Sequence, residues 1–188
     1  ELATLSGKKK LDISTIMIVG GGRVGRMAAM KLEKELNIKL IEYDHNRCIE
    51  LTDMLSETLI IHGDARDIHL LKDEDIENVD AFIAVTENTE TNILTCLHAK
   101  RFGVKKTIAL VENLNYIEIS QSIGIDTVIN KKLIASSYIL QHAMGDEVSS
   151  LKRLSGIHAE VLELIAKKGS AVTKKPIKKL KFPEGTII

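Results

Sequence analysis

A glycine-rich turn between an apolar run and an amphipathic segment constrains the fold of this chain more than any other feature. Residues 16–19 are all apolar, as in a buried strand, and the apolar spacing over residues 24–32 predicts a helix packed against a sheet. Between them, Gly20, Gly22 and Gly25 form the pattern Gly-x-Gly-x-x-Gly. The first glycine allows a tight turn, the second lets a pyrophosphate approach the backbone, and the third brings helix and strand together. The turn therefore predicts a phosphate site at the helix N-terminus.

An acid at the end of the next predicted strand extends this pattern. Residues 39–42 predict a strand that ends on Glu42, 17 residues beyond Gly25. Dinucleotide-binding folds place an acid about 20 residues beyond the glycines, where its carboxylate accepts hydrogen bonds from the adenosine ribose. A glycine turn alone, or a solvated glutamate at a strand end, has an ordinary structural explanation. The order of strand, glycines, helix, strand and acid favours a nucleotide site. Its candidate residues are Gly20, Gly21, Gly22, Arg23, Val24, Gly25 and Glu42.

Strand and helix patterns alternate along the following part of the chain. Further predicted strands cover residues 57–62, 79–86, 106–111 and 126–129. The predicted helices between them cover residues 46–55, 67–71, 87–102 and 116–123. Six strands separated by helices indicate an α/β fold, a Rossmann-like doubly wound parallel sheet with right-handed connections. We expect this nucleotide-binding domain to cover residues 14–145, after an arm or linker at residues 1–13.

Polar residues follow the third and fourth predicted strands, at the edge of the sheet where ligands bind. Because the carboxyl ends of parallel strands share one edge, the residues that follow them are candidates for contact with adenine, ribose or phosphate. These candidates are Asp64, Ala65, Thr86 and Asn92. A structural explanation is equally good, since Asp64 would cap the short helix that follows and Asn92 lies in the polar start of the next helix. The residues leave both explanations open.

The C-terminal part of the sequence predicts an interface and the beginning of a second unit. Residues 132–144 form a predicted helix whose apolar side chains cover a wide arc. This arc favours a two-fold homodimer contact, with packing on its own domain as the alternative. We expect residues 158–188 to be a truncated α+β unit. The predicted elements beyond the helix are a hinge at 145–147, a linker at 146–157, a strand at 158–164, a short helix at 176–181 and a strand at 186–188.

Composition excludes several classes of protein and function. Of 188 residues, 44% are hydrophobic and 28% are charged, and no run reaches the roughly 18 apolar residues of a membrane span. Only 3% are aromatic and none interleave with the lysines, so nucleic acid is not expected as a partner. Cys48 and Cys96 are too few for a disulfide framework, which favours packed thiols and a reducing cytoplasm. The histidines and aspartates of residues 62–69 do not form a persuasive metal site.

Four motifs, taken together, resemble those of the RCK domain family (regulator of K⁺ conductance, also called KTN). They are Gly20-x-Gly22-x-x-Gly25, Glu42-Tyr43-Asp44, Gly63-Asp64-Ala65, and Val85-Thr86 with Asn92. The resemblance covers residues 14–188, and residues 159–188 are similar to the start of the family's C-terminal domain. It implies a Rossmann-like sheet that pairs into a homodimer or higher assembly. It also implies a potassium transporter subunit in the membrane as the partner.

The same resemblance implies a ligand and assigns site residues by matching position. The ligand is NAD, or alternatively ADP or ATP, at the edge of the sheet. The matching positions are residues 20–25 for the phosphates, Glu42 for the ribose, Asp64 and Ala65 for the adenine side, and Thr86 for a phosphate or second ribose. From the residues themselves, the carboxylate of Glu42 would repel a 2′-phosphate, and Tyr43 and Asp44 supply no arginine to receive one. NAD(H) or an adenine nucleotide is therefore expected in preference to NADP(H).

Three functions are consistent with these patterns. The leading hypothesis is a cytoplasmic regulatory module without enzymatic activity, held by its partner at the inner face of the cell membrane, that senses a nucleotide. The alternative is an NAD-dependent oxidoreductase, for which His62 at a strand end is the nearest candidate general acid. A passive dimerisation scaffold is the third hypothesis, because Leu110 stands in the fifth strand where many family members have arginine.

Overall fold

Short apolar strands assemble into a parallel sheet in the computed structural model, which describes residues 12–143, 148–154 and 159–180. They lie in the order β3-β2-β1-β4-β5-β6. The strands are β1 (Thr15–Val19), β2 (Asn37–Glu42), β3 (Leu59–His62), β4 (Ala81–Ala84), β5 (Lys106–Leu110) and β6 (Thr127–Ile129). The connecting helices are α1 (Arg23–Leu32), α2 (His45–Met54), α3 (Ile68–Asp73), α4 (Thr89–Arg101) and α5 (Asn115–Ser122), with a 3₁₀ turn at Ile76–Asn78.

The sheet reverses its winding at β1, which pairs in parallel with β2 on one side and with β4 on the other. Val19, the last residue of β1, aligns with Ile41 and Ala84. The N–H of Gly20 donates to Ile41 O at 2.9 Å, and the N–H of Val85 donates to Val19 O at 2.9 Å. The three strands therefore end level with one another. Such a switch point leaves a crevice outside the carboxyl ends of the strands, where ligands bind in this architecture.

The central strands are buried on both faces of the sheet. Consecutive residues of a strand point to opposite faces, and Met17 and Ile18 in β1 are both fully buried. Leu40 in β2 and Phe82 in β4 are fully buried beside them. Burial of an apolar side chain of this size contributes about 1.5–3 kcal/mol to stability. The fold class predicted from the sequence, an α/β Rossmann-like doubly wound parallel sheet, is confirmed.

The predicted strands and helices of the sheet domain are found within one or two residues of their expected bounds. The start of β3 shows why the bounds shift. The carboxylate of buried Glu33 accepts from the N–H of Glu57 at 3.1 Å and from the hydroxyl of Thr58 at 2.9 Å. Residues 57 and 58 are thereby held at the end of α1, so β3 begins at Leu59.

The chain divides into two compact units, and the boundary lies between Lys131 and Lys132 rather than at residue 145 as expected. The helix α6 (Lys131–Ala143) confirms the predicted element, but none of its residues is buried. Ile134, Tyr138 and Ile139 are 59%, 63% and 65% exposed.

The segment at residues 146–157, expected to be a linker, contains a strand. This strand, β7 (Val148–Leu154), pairs antiparallel with β8 (Ala159–Leu164) in a separate two-stranded sheet. The pairing has an irregularity between Val148 and Ser150. Residues 150–154, which pair regularly, read S-L-K-R-L and lack the apolar alternation that identifies a strand in sequence, so the linker assignment was wrong.

The remaining described segment forms short 3₁₀ turns at Ala171–Thr173 and Ile177–Lys179. The second turn occupies the place of the helix predicted at 176–181. The predicted hinge at 145–147 and the predicted strand at 186–188 lie outside the described residues. Across the described ranges, no helix has the length and apolar character needed to cross a membrane.

Candidate nucleotide site

A cavity of about 640 Å³ opens where β1, β2, β3 and β4 end. Its volume is in the range of small-molecule sites, and it lies at the switch point of the sheet. Six of the eleven candidate residues predicted from the sequence line it, namely Gly20, Gly22, Glu42, Asp64, Ala65 and Thr86. The other lining residues are Val19, Ile41, Tyr43, Asp44, Arg47, Gly63, Arg66, Val85, Glu87, Asn88 and Thr91.

The glycines of the turn lack side chains for different reasons. Gly20 has a φ of +100°, and a Cβ there would lie 3.0 Å from Thr86 N, so the turn packs directly against the end of β4. At Gly25 a Cβ would collide with the carbonyl oxygen of Gly20, which keeps α1 close to β1. At Gly22, in contrast, no described atom lies within 4 Å of a Cβ. Gly22 is therefore the position where a ligand, and not the fold, would require a glycine.

The first turn of α1 leaves backbone donors for an anion. Gly22 is the N-cap and makes no side-chain hydrogen bond, and the first helical bond runs from Arg26 N–H to Gly22 O at 3.0 Å. Residues 23–25 are not among those that line the cavity. Their N–H groups have no acceptor within the helix. The start of α4 differs, since Asn88 Oδ1 accepts from Thr91 N–H at 2.6 Å. An anion is therefore expected at α1.

Glu42 anchors the glycine turn and is not a solvated residue at a strand end. Its Oε2 accepts from Gly21 N–H at 2.6 Å, and its Oε1 accepts from Asp44 N–H at 2.9 Å. A Cβ at Gly21 would collide with Leu51 of α2, so this part of the turn is tightly packed. Each carboxylate oxygen has two lone pairs, so Glu42 retains acceptor capacity for ribose hydroxyl groups.

Arg47 also lines the cavity, although no sequence pattern identified it. Asp44 caps α2 by accepting from Arg47 N–H at 2.9 Å. From this position Arg47 Nε donates to Gly21 O at 3.2 Å, and Nη1 pairs with Glu50. Tyr43 and Asp44 supply no arginine, as stated above, but Arg47 brings a guanidinium group to the same end of the cavity. The available signal was the Asp-x-x-Arg spacing, since an N-cap side chain contacts the residue three positions on.

A second arginine, Arg66, lies in the wall formed by the loop after β3. Its Nε donates to both carboxylate oxygens of Asp64 at 2.9 and 3.0 Å, and its Nη2 donates to Asp64 Oδ2 at 2.6 Å. These hydrogen bonds hold the pKa of the Asp64 carboxyl below its ordinary value. The N-cap of α3 is Asp67, which accepts from His69 N–H at 2.8 Å. The explanation of Asp64 as that N-cap is therefore wrong. Ala65 is buried beside it.

Asn92 braces two strands and does not line the cavity. It is 1% exposed, and its Oδ1 accepts from the N–H of Thr86 at 2.9 Å and from the Thr86 hydroxyl at 2.7 Å. Its Nδ2 donates to Leu110 O at 2.8 Å and to Thr86 O at 3.0 Å. Asn92 therefore neither lines the cavity nor caps its own helix, whose N-cap is Asn88; it joins the ends of β4 and β5 instead, while Thr86 lines the cavity. Leu110 belongs to the buried hydrophobic core, so this position of β5 does not contribute to the site.

The reactive side chains near the site are occupied or buried. His62, the candidate general acid, does not line the main cavity; its Nε2 lies 3.0 Å from Tyr43 O, and its ring meets His45 edge-on at 5.0 Å. Cys48 and Cys96 are buried as expected, and burial raises the pKa of the Cys96 thiol to about 12. Within the described ranges, no group of three His, Cys, Asp or Glu side chains is placed to hold a metal ion.

Residues 16–131 match the family model of the TrkA-N domain. Over 190 aligned residues that cover the whole chain, the sequence is 36% identical to the Trk system potassium uptake protein TrkA homolog 2 of Methanosarcina mazei. Over 176 residues, 92% of the chain, it is 37% identical to the Trk system potassium uptake protein TrkA of Vibrio alginolyticus. The chain spans 42% and 38% of the lengths of these two relatives.

Solved structures share the fold at low sequence identity. The TrkA-N domain of the inner membrane protein ybaL from Escherichia coli has a TM-score of 0.63 at 18% identity, covering 70% of this chain and 97% of that one. The GsuK channel bound to NAD has a TM-score of 0.58 at 18% identity, covering 78% and 26%. GsuK bound to ADP has a TM-score of 0.59 at 19% identity, covering 68% and 34%. By the family match over residues 16–131 and its identity to the TrkA relatives, the chain belongs to the TrkA-N domain family.

Proposed function

We propose that this chain is the nucleotide-sensing module of a regulatory subunit for potassium uptake. The observation that carries the proposal is the uncapped first turn of α1 beside the open space at Gly22, in the cavity that Glu42 also lines. A helix end that binds anions and an acceptor for ribose are the two parts needed to hold an adenosine diphosphate group. The TrkA relatives are named for potassium uptake, which makes a membrane potassium transporter subunit the proposed partner.

The proposed ligand is NAD(H), with ADP or ATP as the alternative. Residues 20–25 would hold the phosphates, Glu42 the ribose, and Asp64 with Ala65 the adenine side. Thr86 would contact a phosphate or a second ribose. GsuK, which shares the fold, has been solved with NAD bound and with ADP bound, so both ligand classes are compatible with this architecture.

The proposed signal passes through a homodimer or higher assembly, and not through catalysis. An exposed apolar helix face supports a self-complementary contact, and in α6 Ile134, Tyr138 and Ile139 are all more than half exposed. A nucleotide changes the geometry of such an assembly only if it binds two geometries with different affinity. We place the module in the cytoplasm, at the inner face of the cell membrane, where its transporter partner would hold it.

Thermal unfolding with NAD⁺, NADH, ADP and ATP tests the ligand. A molecule that binds only the native state raises the midpoint of unfolding by mass action, so at least one of the four should raise it in a concentration-dependent manner. Calorimetry then gives the affinity. A midpoint unchanged by all four compounds would contradict the proposed function.

Light scattering tests the assembly independently. We expect the wild type to be at least dimeric, and the double variant Leu133→Glu with Ile139→Glu to be monomeric, because both changes place charge on the apolar arc of α6. Nucleotide binding should persist in the monomer. A monomeric wild type at tens of micromolar, or a dimeric double variant, would remove α6 from the mechanism.

A further inference from the structure

A closed ring of hydrogen bonds joins the glycine turn to the first turn of α2. The N–H of Gly21 donates to Glu42 Oε2 at 2.6 Å, and the N–H of Asp44 donates to Glu42 Oε1 at 2.9 Å. The N–H of Arg47 donates to Asp44 Oδ1 at 2.9 Å, and Arg47 Nε returns to Gly21 O at 3.2 Å. Glu42 and Arg47 therefore hold the N–H and the C=O of the same glycine.

The ring contains three charged side chains, the carboxylates of Glu42 and Asp44 and the guanidinium of Arg47, and no ion pair joins Arg47 directly to Glu42 or Asp44 among the described contacts. Arg47 pairs with Glu50 on the next turn of α2, and the side chain of Glu50 is 54% exposed. Exposed ion pairs of this kind contribute little and exchange readily. A guanidinium carries five N–H donors, and within the described part of the chain Arg47 Nη2 makes no hydrogen bond. A partly unused cation thus lies beside the proposed ribose acceptor, and both line the cavity.

Glu42 and Arg47 would act in opposite directions on a nucleotide that carries a 2′-phosphate. A 2′-phosphate would bring up to two negative charges to the ribose end of the site, where the carboxylate of Glu42 repels them. Guanidinium groups bind phosphate through two parallel hydrogen bonds, and Arg47 has the free donor that such a contact needs. A free 2′-hydroxyl, in contrast, donates to Glu42 and, being uncharged, gains less than a phosphate from the guanidinium of Arg47.

We propose that Arg47 is a specificity-determining residue of the nucleotide site. It can bind a 2′-phosphate, and the negative charge of Glu42 prevents this binding in the wild type. The inference rests on the proposed function, since it concerns the ligand of the same cavity. In the wild type, Glu42 makes the site selective for nucleotides with a free 2′-hydroxyl. When the charge of Glu42 is removed, Arg47 makes the site accept 2′-phosphorylated adenosine nucleotides.

The test uses two ligand pairs whose members differ only by the 2′-phosphate, NAD⁺ with NADP⁺ and AMP with adenosine 2′,5′-bisphosphate. Calorimetry gives the ratio of the two dissociation constants within each pair for wild type, Glu42→Gln and Glu42→Gln with Arg47→Gln. The ratio is the measured quantity because a general loosening of the glycine turn changes both members of a pair by the same factor. Arg47→Lys in the Glu42→Gln background keeps the positive charge but removes the planar guanidinium group that can donate two parallel hydrogen bonds.

We expect Glu42→Gln to shift the ratio toward the 2′-phosphorylated ligand by about tenfold or more, and Arg47→Gln to reverse this shift. Arg47→Lys should retain only part of it. An unchanged ratio in Glu42→Gln, or an equal shift with and without Arg47, would overturn the inference while leaving nucleotide binding intact. Failure of wild type to bind AMP and NAD⁺ would instead contradict the proposed function, and the inference with it.

Glu50→Gln is a second variant for the case that Glu42→Gln does not fold. It leaves all four hydrogen bonds of the ring in place and removes only the exposed partner of the guanidinium. The wild-type ratio should move toward the 2′-phosphorylated ligand by a factor of about 2–5, the value of an exposed ion pair. A ratio that stays constant in Glu50→Gln would also count against Arg47 as the receptor.

Discussion

The backbone N–H and C=O groups at the carboxyl ends of the strands find hydrogen-bond partners in different ways in the two halves of the sheet. In the half formed by β1, β2 and β3, which we call the open half, the turns line a cavity and the N–H groups at the start of α1 have no helical acceptor. In the half formed by β4, β5 and β6, which we call the closed half, side chains form hydrogen bonds with backbone groups at and after the strand ends. Asn92 donates to Leu110 O at 2.8 Å, and Asn130 donates to Val111 O at 2.7 Å. Thr89 Oγ1 accepts from Glu112 N–H at 3.2 Å.

This difference locates the site more closely than the fold alone. Buried backbone groups must find partners, and an amide or hydroxyl side chain that supplies one removes the need for a ligand. Both halves are built from parallel strands and covering helices, and topology alone places a crevice at the switch point between β1 and β4, where the two halves meet. Among the described residues, the partners of the strand ends leave the open half, with the first residues after β4, available to a ligand.

Gly22→Val is the change with the largest expected effect, because it fills the open half at the point where the phosphates would approach. We expect a loss of nucleotide affinity of at least about a hundredfold, which corresponds to the loss of the contacts with the helix N-terminus. The domain should remain folded, since no described atom lies within 4 Å of a Cβ at this position. Calorimetry and circular dichroism measure the two quantities.

The matched variant is Gly25→Val, three residues along the same turn. Its Cβ would collide with the carbonyl oxygen of Gly20, so we expect it to lose the folded state as well as the ligand. If Gly22→Val binds nucleotide as tightly as wild type, the glycine turn of the open half is only a structural turn.

Asn92→Ala tests the closed half and should act on stability. It removes the partners of Thr86 N–H and Leu110 O in the interior, and we expect the free energy of unfolding to fall by about 2–4 kcal/mol. Asn92→Asp should cost at least as much, because it keeps the acceptor for Thr86 N–H but loses the donors to both Leu110 O and Thr86 O and buries a carboxylate against these two oxygens. Urea denaturation measures both values. A loss of affinity without a loss of stability would mean that Asn92 belongs to the site after all.

The open half was largely predictable from sequence and the closed half was not, for a physical reason. The glycine turn and Glu42 follow local spacing rules that a ligand imposes on the strand ends. The brace made by Asn92 depends on Leu110, 18 residues away on another strand, and no local pattern records such a partner. Arg47 falls between the two cases, since its position follows from the cap at Asp44, but its contact with the turn requires the fold.

Glu42→Ala should weaken binding of NAD⁺ or ADP by about 1.5–3 kcal/mol, roughly one to two decades in affinity. In the proposed site the carboxylate would accept charge-assisted hydrogen bonds from the ribose, and it also holds Gly21 through its N–H. Calorimetry at constant ionic strength measures the change. Equal affinity of the wild type for NAD⁺ and NADP⁺ would contradict the role of this carboxylate, whatever the variant does.

The smallest effects are expected for substitutions of two carboxylates. Asp126 lies before β6 in the closed half, and Asp64 lies after β3 in the open half. Burial disfavours the charge of Asp126, but hydrogen bonds from Lys100 and from Thr107 outweigh it and hold the pKa of Asp126 below its ordinary value. A depressed pKa in the folded state stabilises the fold above the ordinary Asp value of about 3.9 and stops doing so as pH falls through the folded value.

Asp126→Asn should therefore lower the free energy of unfolding by about 1 kcal/mol at pH 7, with little change in nucleotide affinity. The difference from wild type should shrink as pH falls below about 4, because the carboxyl of the unfolded chain then takes up a proton before that of the folded protein, and it should vanish once pH is below the folded pKa. Asp64→Asn should do the reverse. Its partner Arg66 is 62% exposed, so the stability cost should stay under about 0.5 kcal/mol, whereas nucleotide affinity should fall. Urea denaturation at pH 7 and pH 3.5, with calorimetry at pH 7, separates the two. Equal stability losses would mean that Asp64 stabilises the open half as much as Asp126 stabilises the closed half. The two halves would then not differ in how firmly side chains hold their backbone.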